Sequence, residues 1–353
     1  MPFLLDLPTR DLEQIFSDLN LPAWRLKQVR RWIFARRTFD FNAMTDLSKD
    51  VRATLAQHFS LGRDGSLLSS RLVTHTGSSD AAEKILLEFP DGHCVESVLL
   101  RDDRDHRTAC VSTQVGCQMG CVFCASGMDG FIRNLTRGEI LEQILRLNAL
   151  LPDAERLTHL VVMGTGEPML NLPALLPALA EITSSDGFDL ANRRVTVSTV
   201  GIPDGIRAMA AAHVPYKLAI SLHAPNDVLR SEIVPQNRHV GIQNVLAASD
   251  DYFRATGRRV TFEYILIDQC NSSRTHALEL ANLLRGRTAI VNLIPYNAVA
   301  ELPYKTPSAA TVAQFARVLE EEGIQVKVRF RKGDKIDAAC GQLRRAFRAR
   351  QEN

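Results

Sequence analysis

The stretch CQMGCVFCASG, Cys117–Gly127, sets cysteines at Cys117, Cys121 and Cys124, in the pattern C-x3-C-x2-C. A structural zinc site wants four ligands, usually as two pairs of the C-x2-C kind. Only one cluster of cysteines exists here; Cys94, Cys110, Cys270 and Cys340 are scattered. A [4Fe–4S] cluster is normally held by one thiolate per iron. Three cysteines leave one iron without a protein ligand, and an open coordination position is what a catalytic metal needs. The alternative, that these are ordinary buried cysteines, would leave three thiols crowded as an oxidation liability.

The rest of the chain must position that cluster. It has 353 residues, 45% apolar and 23% charged, with a net charge of +2. This suits an ordinary globular chain with one large and one smaller domain. No apolar run reaches the roughly 18 residues of a membrane span. No cationic start leads into an apolar stretch, so a secretory signal is not expected. The expectation is a cytoplasmic protein without membrane association, whose thiols stay reduced.

Residues 9–60 have helical periodicity, with one helix opening near Thr9 and a second after Leu21-Pro22. EKILLEFPDGHCVESVLL reads as a hairpin turning at Pro90-Asp91-Gly92. From about residue 107, short β-branched runs alternate with helical stretches. TACVSTQ, THLVVMG, RRVTVST, YKLAISLH, RVTFEYILI and AIVNLIPYN are the strands, with helices near 137–150, 173–184, 203–213, 241–256 and 274–285. Such βα units imply a parallel sheet. Six are too few for a closed eight-stranded barrel, so the expected fold is α/β, an open, partial (β/α)6 barrel, to which IQVKVRF could add a strand. The expected divisions are a helical N-terminal domain at 1–75, a β-hairpin extension at 76–106, the barrel at 107–330 and a C-terminal segment at 331–353. The cysteines, GTGEP, STVG, SLHAPND and IPYN all fall at carboxyl ends of strands, where parallel barrels build active sites.

Basic residues gather at both ends. Arg25, Lys27, Arg30, Arg31, Arg36 and Arg37 stand together without an acid, and nine basic residues fall between Lys327 and Arg350. Such blocks could track a phosphate backbone or be solvated helix faces.

C-x3-C-x2-C with Phe123 before the last cysteine resembles the radical S-adenosylmethionine (SAM) enzymes. RTACVSTQVGCQMGCVFCASGMDGFIRNLT, MGTGEPMLN, STVG, SLHAPND, NLIPYN and KIDAACGQL, in that order, resemble the RlmN/Cfr family of radical SAM ribosomal RNA adenine methyltransferases. The resemblance implies a [4Fe–4S] cluster on Cys117, Cys121 and Cys124, with SAM on its free iron. Gly166 and Glu167 would meet the SAM amino group, and Ser198, Ser221, Leu222, His223 and Asn297 would complete its pocket. Cys340 would carry a methyl group, Cys110 would resolve the resulting RNA adduct by forming a disulfide with Cys340, and Glu96 would accept a proton. The implied substrate is an adenine of 23S rRNA, at C2 rather than C8, with tRNA as a candidate second substrate. The implied electron donor is a protein such as flavodoxin or ferredoxin.

Duller readings stand beside these. A lone Cys110 in an apolar strand, or Cys340 beside two alanines, commonly packs as a small hydrophobe. Glu96 on a hairpin commonly faces water, and His223 could be a satisfied core histidine. Cys94 and Cys270 match no role. Another radical SAM enzyme acting on a small molecule, a C8-directed rRNA methyltransferase, or a non-catalytic RNA-binding metalloprotein would share parts of the pattern.

Overall fold

The computed structural model describes residues 1–77, 82–128, 130–213, 216–299 and 301–329. The N-terminal region is helical, with α1 (Thr9–Asp18), α2 (Ala23–Phe34) and α3 (Lys49–His58). Pro8 and Pro22 stand at the N-caps of α1 and α2, and the Ser48 hydroxyl caps α3 by accepting from Val51 N–H. These helices close over their own core, including Leu12, Phe16, Val29, Ile33 and Leu55, to which the barrel adds Leu145.

Strands β1 (Arg71–Gly77), β2 (Ala82–Glu88), β3 (Cys94–Arg101) and β4 (Arg107–Cys110) follow. The β2–β3 turn lies where expected: Gly92 adopts φ +81° and donates to Phe89 O at 2.9 Å. The hairpin is not isolated, because β3 pairs antiparallel with β4 and the sheet continues into the barrel.

Next come the short β5 (Gln114–Gly116) and β6 (Phe131–Asn134), then α4 (Arg137–Ala149), β7 (His159–Val162), α5 (Leu172–Thr183), β8 (Val195–Thr199), α6 (Pro203–Ala211), β9 (Lys217–Ser221), α7 (Asp227–Ile233), α8 (Asn237–Val240), α9 (Ile242–Thr256), β10 (Val260–Leu266), α10 (Arg274–Leu284), β11 (Ala289–Pro295), α11 (Ala309–Glu321) and β12 (Gln325–Val328). The main sheet runs β1-β2-β3-β4-β7-β8-β9-β10-β11-β12 and does not close. Pairing is parallel from β4 onward. The open partial barrel is therefore as expected, with β12 as the added strand; β1 and α11 are additions to the expected elements.

One face of the sheet is covered by helices. Val195, Val197, Leu218, Ile220, Val291 and Leu293 share a core cluster with α4, α5, α9 and α10 residues such as Ile144, Leu179, Val245 and Leu280. Ser97 on β3 faces the same way, since its hydroxyl donates to Gln143 of α4 at 2.8 Å. The alternate residues face the barrel interior.

The N-terminal domain is fixed to the barrel by one buried ion pair and by arginine hydrogen bonds to backbone carbonyls. Glu181 of α5 pairs ionically with Arg30 of α2 through one oxygen and accepts, at 2.6 Å, from Arg137 of α4 on the other. Arg137 also donates to Leu5 O and Leu7 O. Arg37 reaches the carbonyls of Leu151, Pro152 and Glu155. This corrects the reading of the basic block at 25–37 as one patch. Arg30 and Arg37 are bound to the barrel, whereas Lys27, Arg31 and Arg36 are exposed. Among the described residues no helix is long and apolar enough to cross a membrane.

Candidate active site

Strands β5 and β6 form a two-stranded neck from which the cysteine loop emerges. The neck needs Gly116: it adopts φ +78°, and a Cβ there would stand 1.9 Å from Gly130 O. Cys117 N–H donates to Gly130 O at 2.9 Å, and the backbone turns again where Cys124 N–H meets Cys121 O at 3.1 Å. The loop packs on α7 and the end of β8, with Met119, Val200, Ala224, Ile233 and Val234 enclosing Cys117 and Cys121.

The three thiols influence one another. Burial pushes the Cys117 thiol up to about 11, helped by Cys124 and Glu167, while backbone hydrogen bonds from Met119 and Gly166 oppose the shift. Burial, Cys124 and Cys117 push Cys121 higher still. Thiols held like this resist ionising together unless a cation shares them. Among the described residues no three His, Cys, Asp or Glu side chains are grouped to hold a single metal ion. A four-iron cluster asks for less convergence, because each thiolate binds a different iron. The donor set fits a cluster ligated by Cys117, Cys121 and Cys124.

Beside the loop lies Gly164–Pro168. Gly166 adopts φ +111°, and a Cβ would come within 2.6 Å of Gln114; at Gly164 it would lie 2.6 Å from the Ser112 hydroxyl. Glu167 N–H donates to Gln114 Oε1 at 2.8 Å. The Glu167 carboxylate is buried and accepts from Met169 N–H at 3.0 Å and Val200 N–H at 2.8 Å. Burial raises its pKa, against those hydrogen bonds. It therefore clamps the GTGEP loop to the end of β8, a task the sequence did not suggest.

Ser198 lies on the interior face of β8, Ser221 ends β9, and Leu222 and His223 follow in a buried turn. Asn297 is half-buried just past β11. His223 adopts φ +62°, the left-handed region that few non-glycine residues occupy. Its Nδ1 accepts from Ile265 N–H at 3.1 Å, so the neutral ring carries its hydrogen on Nε2. Burial and the Arg230 cation lower its pKa to about 3. The Phe123 ring meets it edge-on, with centroids 4.9 Å apart, joining the cysteine loop to this turn.

Strand register places Glu96 and Cys110. Cys110 pairs with Val98 on one side and Val161 on the other, and Val161 pairs with Thr196. Glu96, two residues from Val98, and Ser198, two from Thr196, thus share the interior face with Cys110. Glu96 is 5% exposed, which removes the reading of a solvent-facing hairpin carboxylate. Buried Lys84 pairs with Val98 and belongs to the same row. Cys94 is buried on β3 and Cys270 half-buried by the loop. Cys340 and the rest of 331–353 lie outside the described residues.

Two residues here escaped the sequence reading. Arg230 is buried among the ends of β8 and β9, and Asn271 donates to His223 O at 2.8 Å and Ile265 O at 2.6 Å. LRSEIVPQNR did not mark the first, because α7 also carries Asp227, Ser231 and Glu232 and reads as an ordinary polar helix.

Known proteins share this arrangement. The Ribosomal RNA large subunit methyltransferase N-terminal domain matches residues 3–61, and the Radical SAM superfamily matches residues 111–281. A probable dual-specificity RNA methyltransferase RlmN of Rhodopirellula baltica is 53% identical over 97% of this chain and 90% of its own length. The protein so named in Carboxydothermus hydrogenoformans is 43% identical over 98% of this chain and 99% of its own. The crystal structure of a radical SAM methyltransferase from Sphaerobacter thermophilus superposes with a TM-score of 0.91 at 40% identity, covering 97% of this chain and 99% of that one. Relatives this similar along the whole length, over a cysteine loop suited to the cluster, establish that the chain belongs to the RlmN family of radical SAM RNA methyltransferases.

Proposed function

We propose that this enzyme methylates C2 of an adenine in 23S rRNA, with tRNA as a second substrate, through a methyl group carried on Cys340. The observation that carries the reading is the shared interior face of Glu96, Cys110 and Ser198, beside the cysteine loop. The cofactors of the superfamily, a [4Fe–4S] cluster and SAM, supply the radical that activates the methyl group.

Cys117, Cys121 and Cys124 would hold the cluster. Gly166 and Glu167 would meet the SAM amino group, through backbone as much as carboxylate, since both Glu167 oxygens already accept N–H groups. Ser198, Ser221, Leu222, His223 and Asn297 would line the SAM pocket. An adenine ring carbon is a poor nucleophile, which favours a carbon carried on Cys340 that adds to C2 and leaves RNA covalently attached. Glu96 removes the C2 proton, and the unpaired electron left on the adduct would return to the cluster, which leaves a closed-shell thioether between Cys340 and the adenine. The Cys110 thiolate attacks the Cys340 sulfur, the bond from that sulfur to the transferred carbon breaks, and the carbon takes up a proton to become the methyl group. A Cys110–Cys340 disulfide remains and takes two electrons before the next turnover. An intracellular donor such as flavodoxin or ferredoxin suits both demands for electrons, and ribosomal substrates place the enzyme in the cytoplasm. In this reading residues 1–75 bind RNA, 107–330 form the catalytic barrel and 331–353 deliver Cys340.

The test is mass spectrometry of rRNA and tRNA from a strain lacking the gene, before and after complementation. Restored 2-methyladenosine in both RNAs is the expected result. Restored 8-methyladenosine would replace C2 by C8, and no change in either would overturn the reading.

A further inference from the structure

Arg230 of α7 is 1% exposed, and its hydrogen bonds run to the ends of strands and to Asn237 at the start of α8. Nε donates to Leu222 O at 3.0 Å, and Nη2 donates to Val200 O and, at 3.2 Å, to Ser221 O. Nη1 donates to Asn237 Oδ1 at 2.6 Å. The three carbonyls lie at the carboxyl ends of β8 and β9, next to Ser198, Ser221 and His223. A planar guanidinium can satisfy several carbonyls at fixed angles; an ammonium cannot reproduce that fork.

The charge itself is unmatched. Among the described residues Arg230 forms no salt bridge, and its acceptors are carbonyls and an amide. A buried cation without a partner is costly unless an anion stands near. Burial lowers its pKa to about 10, and the largest influence in the other direction is Cys121, ahead of Asp227. The backbone fixes this neighbourhood: Val122 N–H, next to Cys121, donates at 3.1 Å to Ile233 O on the helix that carries Arg230.

We infer that Arg230 is a positioning residue that pins the SAM pocket through the ends of β8 and β9 and that its charge sets the reduction potential of the cluster held by the adjoining loop. The inference rests on the reading of Cys117, Cys121 and Cys124 as cluster ligands. The thiolate on Cys121 is then the missing counter-charge. A nearby fixed cation favours the reduced, more negative cluster and so raises its potential. The two roles separate by substitution, because Arg230→Lys keeps the charge and loses the fork, whereas Arg230→Gln loses both.

The experiment compares anaerobically reconstituted wild type, Arg230→Lys and Arg230→Gln by spectroelectrochemical titration of the cluster and by equilibrium SAM binding. Arg230→Gln should shift the midpoint to more negative potential, with Arg230→Lys near wild type. Both should bind SAM about tenfold or more weakly, corresponding to about 1.4 kcal/mol. An unchanged midpoint in Arg230→Gln, or an equal shift in both variants, would overturn the electrostatic role; unchanged SAM affinity in both would overturn the positioning role. If Arg230→Gln fails to fold, Arg230→Lys decides alone: wild-type midpoint with weakened SAM binding supports the inference, and any other pairing overturns it. Wild type that takes up no iron would instead remove the reading of the loop, a failure distinct from that of Arg230.

Discussion

Glu96 and Cys110 stand on adjacent antiparallel strands, one diagonal step apart on the face turned to the barrel interior. Cys110 pairs with Val98, and Glu96 lies two residues along the same strand. Ser112, two residues past Cys110, holds that end of the ladder by donating its hydroxyl to Glu96 O at 2.9 Å. Diagonal neighbours of this kind lie about 7–8 Å apart between α-carbons, close enough for a substrate atom to meet both side chains.

Glu96→Gln keeps the shape of the side chain and removes the proposed base. Methylation should fall by about 10²–10⁴-fold, while reductive SAM cleavage continues. The checking measurement is 5′-deoxyadenosine and methylated RNA from the same reaction. Loss of both together would mean that Glu96 supports the pocket and does not accept a proton.

Substituting Cys117, Cys121 or Cys124 by Ala should each remove iron and visible absorbance. The sheet should persist, because its core lies on the helix-covered face and not in this loop. Iron analysis and circular dichroism on the same preparation test this. Full iron content in any one variant would contradict three-cysteine ligation.

The basic residues of α2 should divide into two classes. Arg31→Ala and Lys27→Ala remove exposed charges, and each should reduce the salt slope of RNA binding by up to about one unit with little change in stability. Arg30→Ala breaks a buried pair with Glu181 and should cost about 3–5 kcal/mol of stability. Salt-dependent binding and urea unfolding on one set of variants distinguish the classes; an RNA defect without destabilisation in Arg30→Ala would reverse the assignment.

Why the two arginines were not separable in the sequence is physical. A helix face can be read from spacing, but the partner of Arg30 is Glu181, supplied by a helix about 150 residues away, and nothing local marks it. The barrel strands were legible because β-branched or aromatic runs such as VTVST and FEYIL carry their own signal. Strand β1 is mostly exposed and polar, so RLVTHTG carried little. Helix α11 was not among the expected helices, although its signals are local: Ser308 caps it and Val312, Phe315, Ala316 and Leu319 fall on one face. The cysteine loop was legible because Cys117, Cys121 and Cys124 lie close together in one short stretch of the chain. Glu167, Arg230 and the Glu96–Cys110 diagonal depend on register and on contacts between strand ends, which a linear pattern does not contain.

His223 should make folding stability sensitive to acid. Its folded pKa of about 3 lies below the ordinary unfolded value of about 6.5. Between those values the unfolded chain takes up a proton that the folded one refuses. The contribution is therefore complete above pH 6.5 and is lost as pH falls towards 3. Buried Glu167 and Glu263 have raised pKa values and act in the opposite sense, so the comparison must be made between proteins and not along one curve. His223→Gln should lose less stability than wild type between pH 6.5 and pH 4, by urea unfolding of the apo chain. Parallel curves would show that the ring is not buried neutral.

Cys110→Ala gives the sharpest test of the two-cysteine route. The residue is 7% exposed within a sheet, so Ala fits the strand and removes little volume; destabilisation should be modest. If Cys110 serves only as packing, that small loss is the whole phenotype and methylation continues. If it resolves the adduct, the variant still loads Cys340 and still attacks the adenine, with Glu96 in place one diagonal step away. Nothing then breaks the bond to RNA. The protein should accumulate as a species that survives denaturing electrophoresis and returns to normal mobility after nuclease digestion. Cys340→Ala lacks the sulfur that carries the carbon and should be inactive without any such species. The double variant should behave as Cys340→Ala, because loading precedes resolution. Equal, adduct-free inactivity in both single variants would break the proposed order and return Cys110 to the sheet as a packed side chain.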